Sequence, residues 1–207
     1  MKSLVIWDMD GTLFDSAGAV PMAFIQVLKR STDRDYTTDE IVEHYSLGPP
    51  SAIFAHILER NDVAAEVEAY HTDLNRRLGA VRVYPGIEEV LKRLSLTTRQ
   101  AVFTGASRGA ARILLRGTGL EEYFEAVTTG DDVPPKPSPV GLIETCTRLG
   151  VLPANSAYVG DGALDIEAAL RAGVMPIRAA WGHLASQTTA PDVVQAASPT
   201  DVESILT

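Results

Sequence analysis

Four apolar residues in unbroken succession, Leu4-Val5-Ile6-Trp7, run directly into Asp8-Met9-Asp10. A run with no polar alternation has no face to give to water. It fits a short strand covered on both sides, in a sheet layered between helices. That strand ends on two carboxylates one residue apart, followed by Gly11, Thr12 and a third acid, Asp15. Like charges held so close repel each other and lose hydration. The compensator to expect is a bound cation, and with it a substrate that needs one.

The remaining pattern says what kind of sheet this strand joins. From Ala17 to Leu78 the apolar period is helical. Val20, Phe24 and Val27 share one face, and Val63, Val67, Tyr70, Leu74 and Leu78 share another. Thr37 with Glu40 reads as a capping box opening a helix through Ile41 and Tyr45. Leu47-Gly48-Pro49-Pro50 breaks the pattern, and Ser51 to Leu58 resumes it. No strand stands out across this stretch, which reads as a helical insertion.

Beyond Pro85 and Gly86, helix and strand alternate. A helix carries Ile87, Val90, Leu91 and Leu94, and a strand comes next at Gln100 to Phe103. Ser107 caps a helix ending near Gly117 and Gly119, and Ala126 to Thr128 is a strand. Ser138 and Pro139 start a helix that Gly150 stops. Ala157 to Val159 is a strand, Ala163 to Ala172 a helix closed by Gly173, and Met175 to Arg178 a strand. The polar tail from Gln187 holds a short strand near Val193 and a helix near Val202 to Leu206. This order predicts an α/β fold: a Rossmann-like parallel sheet with helices on both faces and an inserted α-helical cap. The core is expected over residues 1–14 and 82–207, and the cap over 15–81.

Bulk properties narrow the partners. In 207 residues, 45% are hydrophobic, enough for one core plus a modest insertion. The net charge of −9 and the absence of a basic run argue against nucleic acid and anionic membrane as partners. The first apolar run is too short for a signal-peptide core or a membrane span. Cys146 is the single cysteine, so no intrachain disulfide forms, and a small core or near-surface thiol is the expected reading. A cytoplasmic protein is expected.

In parallel α/β sheets, ligands bind at the carboxyl ends of the strands. The polar residues just past those ends are Asp8, Asp10 and Thr12, then Thr104 and Gly105, then Lys136 in Pro-Pro-Lys-Pro-Ser-Pro, then Asp161 and Asp165. Asp8-Met9-Asp10-Gly11-Thr12, Thr104 after its strand, Lys136-Pro137-Ser138-Pro139 and the stretch Val159-Gly160-Asp161-Gly162 through Asp165 to Gly173 together resemble the four motifs of the haloacid dehalogenase-like hydrolases, in order and spacing. The resemblance spans essentially the whole chain. The helical insertion is similar to the small cap of the subgroup that includes phosphoglycolate phosphatases and β-phosphoglucomutase.

The resemblance implies a role for each residue. Asp8 is the nucleophile that becomes an aspartyl phosphate, and Asp10 is the general acid/base. Thr104 and Lys136 hold phosphoryl oxygens, aided by backbone N–H groups near Gly11 and Gly105. Mg²⁺ is bound by Asp8, the backbone carbonyl of Asp10, and Asp161. Thr12 and Asp165 support the site, Asp165 by steadying the metal shell or orienting the lysine. The physics suits these roles: a carboxylate attacking a phosphate must overcome anion–anion repulsion, which a hard cation and a lysine relieve.

The second acid separates reaction types. Dehalogenases of the family lack it and phosphonate-cleaving members carry alanine there, so Asp10 implies a group leaving through oxygen. Thr12 leans towards a phosphatase rather than a sugar phosphomutase, which stays open, as does a non-catalytic binding protein that kept the fold. The expected substrate is a small phosphorylated metabolite. Cap selectivity is sought around Ser46, Gly48 and Ser51. The cap cations Lys29, Arg30, Arg34, Arg60, Arg76 and Arg77 are outnumbered by acids and form no evident anion site. Asp15 reads as a helix cap and Asp132 as a turn former. His44, His56, His71 and His183 lack metal-ligand spacing and read as surface or satisfied core residues.

Overall fold

The four apolar residues of β1 (Leu4–Trp7) are fully buried and form the middle of a six-stranded sheet. A computed structural model of the protein describes residues 2–185 and 192–206. On one side β1 pairs in parallel with β4 (Arg99–Phe103), which pairs with β5 (Ala126–Thr128). On the other side it pairs in parallel with β6 (Ser156–Gly160), with β7 (Met175–Ala179) and β8 (Val194–Ala196) beyond it. Every ladder of this sheet is parallel, so the carboxyl ends of all six strands lie along one edge.

Alternation along β1 divides the core in two. Val5 and Trp7 face a layer built from α5 (Ile87–Leu94), α6 (Arg108–Gly117) and α9 (Asp201–Leu206). Leu4 and Ile6 face α7 (Val140–Arg148) and α8 (Ala163–Ala172). Burial on both faces is why the strand carries no polar residue until it ends.

Between β1 and β4 the chain leaves the sheet through a two-residue ribbon, β2 (Phe14–Asp15) against β3 (Arg82–Val83), paired antiparallel. Sequence periodicity shows no sign of it, since two residues are too few to display a period. Four helices lie between its strands: α1 (Val20–Ser31), α2 (Thr38–Glu43), α3 (Pro50–Ile57) and α4 (Ala64–Arg76). They bury a cluster centred on Phe24, whose ring lies 4.4 Å from Tyr70 and 5.1 Å from Phe54. The Thr37–Glu40 capping box is formed. The helix it opens ends at Glu43, and Tyr45 sits in the 3₁₀ turn after it.

Several local expectations shift in the folded chain. Ser138 is not the cap of α7: Pro139 occupies that position, and Ser138 Oγ accepts a 3.4 Å hydrogen bond from Val140 N. Asp15 does not cap α1, which starts five residues later; its carboxylate accepts from Ala17 N at 3.0 Å and closes a local turn. Cys146 is buried and donates to Ser156 Oγ. Asp132 forms the expected turn through Thr129. In the tail, 186–191 lie outside the described residues, and β8 and α9 stand where a strand and a helix are expected. Among the described residues no helix is long and apolar enough to cross a membrane.

Gly141 shows how tightly the α7 face is packed. A Cβ built there falls 2.2 Å from the ring of Phe103, itself buried under the sheet. Alanine in a helix interior ordinarily gains about 1 kcal/mol over glycine, but overpacking a core costs about 1–3 kcal/mol. Gly141→Ala is therefore expected to destabilise by up to about 2 kcal/mol on balance, lowering the thermal midpoint in calorimetry. A raised midpoint would show that Phe103 yields at no cost.

Candidate active site

The end of β1 sets the floor of the site. Asp8 N still donates to Val159 O at 2.8 Å, so the nucleophile candidate is held in the ladder with β6. The chain then turns sharply: Leu13 N donates to Met9 O at 2.9 Å and Gly11 N to Phe14 O at 3.0 Å. Met9 and Leu13 anchor the turn in the core. Gly11 has a φ of +84°, and a Cβ there would lie 2.5 Å from Asp161 Oδ2. Both the left-handed backbone and the close carboxylate demand glycine. Its own N–H donates to Phe14, so any backbone donor to a phosphoryl oxygen here would come from the residues beside Gly11.

Lys136 reaches this floor from the loop after β5. Its Nζ donates to Asp8 Oδ1 at 2.6 Å, Asp165 Oδ1 at 2.7 Å and Tyr158 OH at 3.1 Å. An ammonium has three N–H donors, and all three are engaged. Asp165, at the start of α8, also accepts from Gly162 N at 2.9 Å. Tyr158 OH lies 3.0 Å from the carbonyl of Phe103 and 3.1 Å from Asp165 Oδ1. Four strand ends are thus tied through one lysine and one phenol. Tyr158 escaped the sequence reading because strand alternation indicates only which face it occupies, not how far its hydroxyl reaches.

Asp161 lies at the end of β6 and is buried. Leu184 N donates to its Oδ2 at 2.8 Å. The segment after β7 closes over it: a Cβ on Gly182 would fall 2.3 Å from Asp161 Cβ and 2.4 Å from Gly11 O. Trp181 Nε1 donates to Thr12 O at 2.9 Å, pinning the same segment to the turn after β1. His183 sits against Gly11, and its Nδ1 is buried without a partner. It belongs to the site, although its sequence context marks it as an ordinary histidine. Thr104 is buried at the end of β4 and accepts from Ala106 N at 3.1 Å, and Gly105 lines the cavity beside it. Asp10 accepts a short hydrogen bond from Ser16 Oγ.

Carboxylates crowd this floor. Carboxylate oxygens of Asp8, Asp161 and Asp165 all lie within 4.8 Å of one another, and Lys136 is bonded to Asp8 and Asp165. At an effective dielectric near 20, two like charges about 4 Å apart repel by about 4 kcal/mol. Burial, then repulsion from Asp165, pushes Asp161 up to about 6. Asp8 is raised by burial and by Asp165 and Asp161, against the pull of Lys136. Asp10 is raised chiefly by burial. For Lys136 burial works the other way, but Asp165 and Asp8 outweigh it and keep the ammonium charged. An all-oxygen donor set with surplus negative charge suits a hard divalent cation.

Above the floor lies a cavity of about 200 Å³. Cap and core meet across it: His71 Nε2 on α4 is 2.7 Å from Ser107 Oγ, the residue that caps α6. In the cap the rings of His44 and His56 meet at 5.4 Å between centroids, tilted 51° to each other.

A parallel α/β core with buried carboxylates at its strand ends, roofed by helices, is the build of a hydrolase acting on phosphate esters. The chain matches the haloacid dehalogenase-like hydrolases over residues 5–179 and belongs to that family, and its class is phosphoric monoester hydrolase. It is 29% identical over 192 residues to a phosphoglycolate phosphatase of Aquifex aeolicus, covering 91% of this chain and 90% of that one. It is 32% identical over 190 residues to a plasmid-encoded phosphoglycolate phosphatase of Cupriavidus necator, covering 86% and 81%. The fold is shared with CbbY of Rhodobacter sphaeroides, solved in complex with phosphate: TM-score 0.86, 21% identity, 98% and 96% covered.

The electrostatics of the floor give a sign that can be measured. With its folded value near 6 and an unfolded value near 3.9, Asp161 binds more protons folded than unfolded in that window. Its contribution to stability therefore falls as pH rises from about 4 to about 6. The loss is of order 3 kcal/mol once the group is fully ionised. In metal-free buffer, Asp161→Asn is expected to melt above the wild type at pH 8, with the gap closing by pH 4. A gap independent of pH would remove Asp161 as the source.

Proposed function

We propose that the chain is a Mg²⁺-dependent phosphatase of a small phosphorylated metabolite, working through an aspartyl phosphate on Asp8. Residues 15–81 act as its cap, and 1–14 with 82–207 as its core. One observation carries the reading: Asp8 and Asp10 stand side by side on the cavity floor, with Lys136 bonded to Asp8. Asp8, Asp161 and the backbone carbonyl of Asp10 would hold the metal, and Asp165 steadies Lys136 beside it. When bound, Mg²⁺ supplies positive charge that lets two anions approach.

The protein's own groups carry the steps. An oxygen of Asp8 attacks phosphorus, and the bond from phosphorus to the substrate oxygen breaks. Asp10, whose carboxyl burial favours in the protonated form, gives its proton to that departing oxygen. Asp10 then takes a proton from water as the water attacks the aspartyl phosphate, releasing phosphate and restoring Asp8. Lys136 stays charged and tracks the phosphoryl oxygens by exchanging one of its partners, the Tyr158 hydroxyl being the longest-held at 3.1 Å. Thr104 and the Gly105 backbone flank the same position. Thr12, fully buried in the turn, supports the backbone that presents both acids.

Phosphate release from a panel of phosphorylated metabolites, with Mg²⁺ and with EDTA, tests this. Release is expected only with Mg²⁺. Asp8→Asn is expected to lose at least about 10⁴-fold in turnover, as nucleophile removal does elsewhere. Asp10→Asn is expected to lose about 10²–10⁴-fold. Full activity in Asp8→Asn, or release unaffected by EDTA, would overturn the mechanism.

A further inference from the structure

The cavity above the carboxylates has walls unlike its floor. Val20, Phe24, Ile53, Leu114 and Leu184 line it with hydrocarbon, and Tyr45 and Tyr70 add two phenols. Among the described residues that line it, Lys136 is the only cation. That lysine has its three donors on Asp8, Asp165 and Tyr158. Three of the cap's arginines are engaged elsewhere, Arg34 with Glu40, Arg60 with Glu66 and Arg77 with Asp73, and Arg30 and Arg76 are not among the lining residues. None of them reaches the cavity.

A substrate with a second anionic group would therefore bring that charge next to Asp8, Asp10, Asp161 and Asp165 with no second lysine or arginine lining the cavity to pair it. An ion buried without a partner costs several kcal/mol. The Tyr45 hydroxyl is buried without a hydrogen-bond partner. Burial holds both phenols protonated, so they can hydrogen-bond a ligand but cannot neutralise it. Size points the same way: an apolar cavity of about 150 Å³ takes a benzene molecule. About 200 Å³ then holds a phosphoryl group and an organic group of roughly one ring.

We propose that this cavity takes a phosphate monoester whose organic part is uncharged, mainly apolar and about one ring in size, in preference to a phosphorylated acid, sugar or bisphosphate. The phosphoryl end of this inference rests on the phosphatase reading above. The hydrocarbon wall and the missing second cation carry the rest. The preference departs from what the names of the phosphoglycolate phosphatase relatives would suggest for this chain.

The test compares kcat/KM of the full-length wild type, with Mg²⁺, on benzyl phosphate, phenyl phosphate, phosphoglycolate and glucose 6-phosphate. Calorimetric binding of benzyl phosphate and phosphoglycolate to Asp8→Asn runs alongside. Benzyl phosphate is expected to exceed phosphoglycolate and glucose 6-phosphate by at least tenfold in kcat/KM, and phosphoglycolate by at least tenfold in affinity. Turnover of phosphoglycolate or glucose 6-phosphate equal to or above that of benzyl phosphate overturns the inference and leaves the phosphatase reading standing. No turnover of any ester overturns the phosphatase reading instead. In that case tenfold tighter binding of benzyl phosphate upholds the account of the cavity, and equal or weaker binding overturns it as well.

Discussion

The ammonium of Lys136 is the point on which the site is built. It lies between Asp8 and Asp165 with only 13% of its side chain exposed. Neither acid is tolerable there without it, because an unpaired buried charge costs about 3–5 kcal/mol. The lysine in turn is held by the phenol of Tyr158, which is tied to the backbone of β4. One charged group thus joins the end of β1, the end of β4, the loop after β5 and the start of α8. Lys136 bonds two of three close carboxylates, Asp8 and Asp165, with Asp161 beside them. In the proposed mechanism this crowding of acids is what a divalent cation would offset, so that an anionic phosphoryl group could approach.

The sheet order explains why the convergence falls at β1. From β1 the chain moves to β4 and β5 on one side, then crosses to β6, β7 and β8 on the other. Connections leave the carboxyl edge in opposite directions at that strand, opening a crevice over its end. Asp8 and Asp10 stand in that crevice. Thr104 and Asp161 stand at the ends of the two strands flanking β1, and Lys136 reaches in from the loop beyond. Parallel pairing is the cause: in an antiparallel sheet the same residues would alternate between opposite edges.

The elements legible in the sequence are those whose signal is local. Continuous apolar runs mark β1, β4 and β6, and Gly150 and Gly173 mark helix ends because left-handed backbone favours glycine. Asp8, Asp10, Thr104, Lys136, Asp161 and Asp165 could be picked out because each comes after a strand. The hidden features depend on distance through space. The hydroxyl of Tyr158 matters only because Lys136 arrives 3.1 Å away. His183 and Gly182 matter because a loop folds back on Asp161. The β2–β3 ribbon is two residues long on each side, below the length at which periodicity exists. Gly11 was legible as a glycine that mattered, but not as one whose N–H is spent within its own turn.

The cap uses the same side chains for stability and for its inner surface. Phe24 and Tyr70 form the centre of the cap's aromatic cluster and also line the cavity, and both are almost fully buried. Each therefore answers to two demands, and a change that reshapes the cavity at either position also removes packing worth about 3–5 kcal/mol for a large aromatic. Tyr45 and Leu184 are in a different position. They line the cavity while remaining partly exposed, so their replacement disturbs less of the core. On the proposed reading, selectivity would be divided between a rigid aromatic wall, fixed by the folding of the cap, and a few marginal positions where the chemistry of the wall can change without unfolding it. The floor has no such freedom, since every polar group on it is bound to the balance of charge around Lys136.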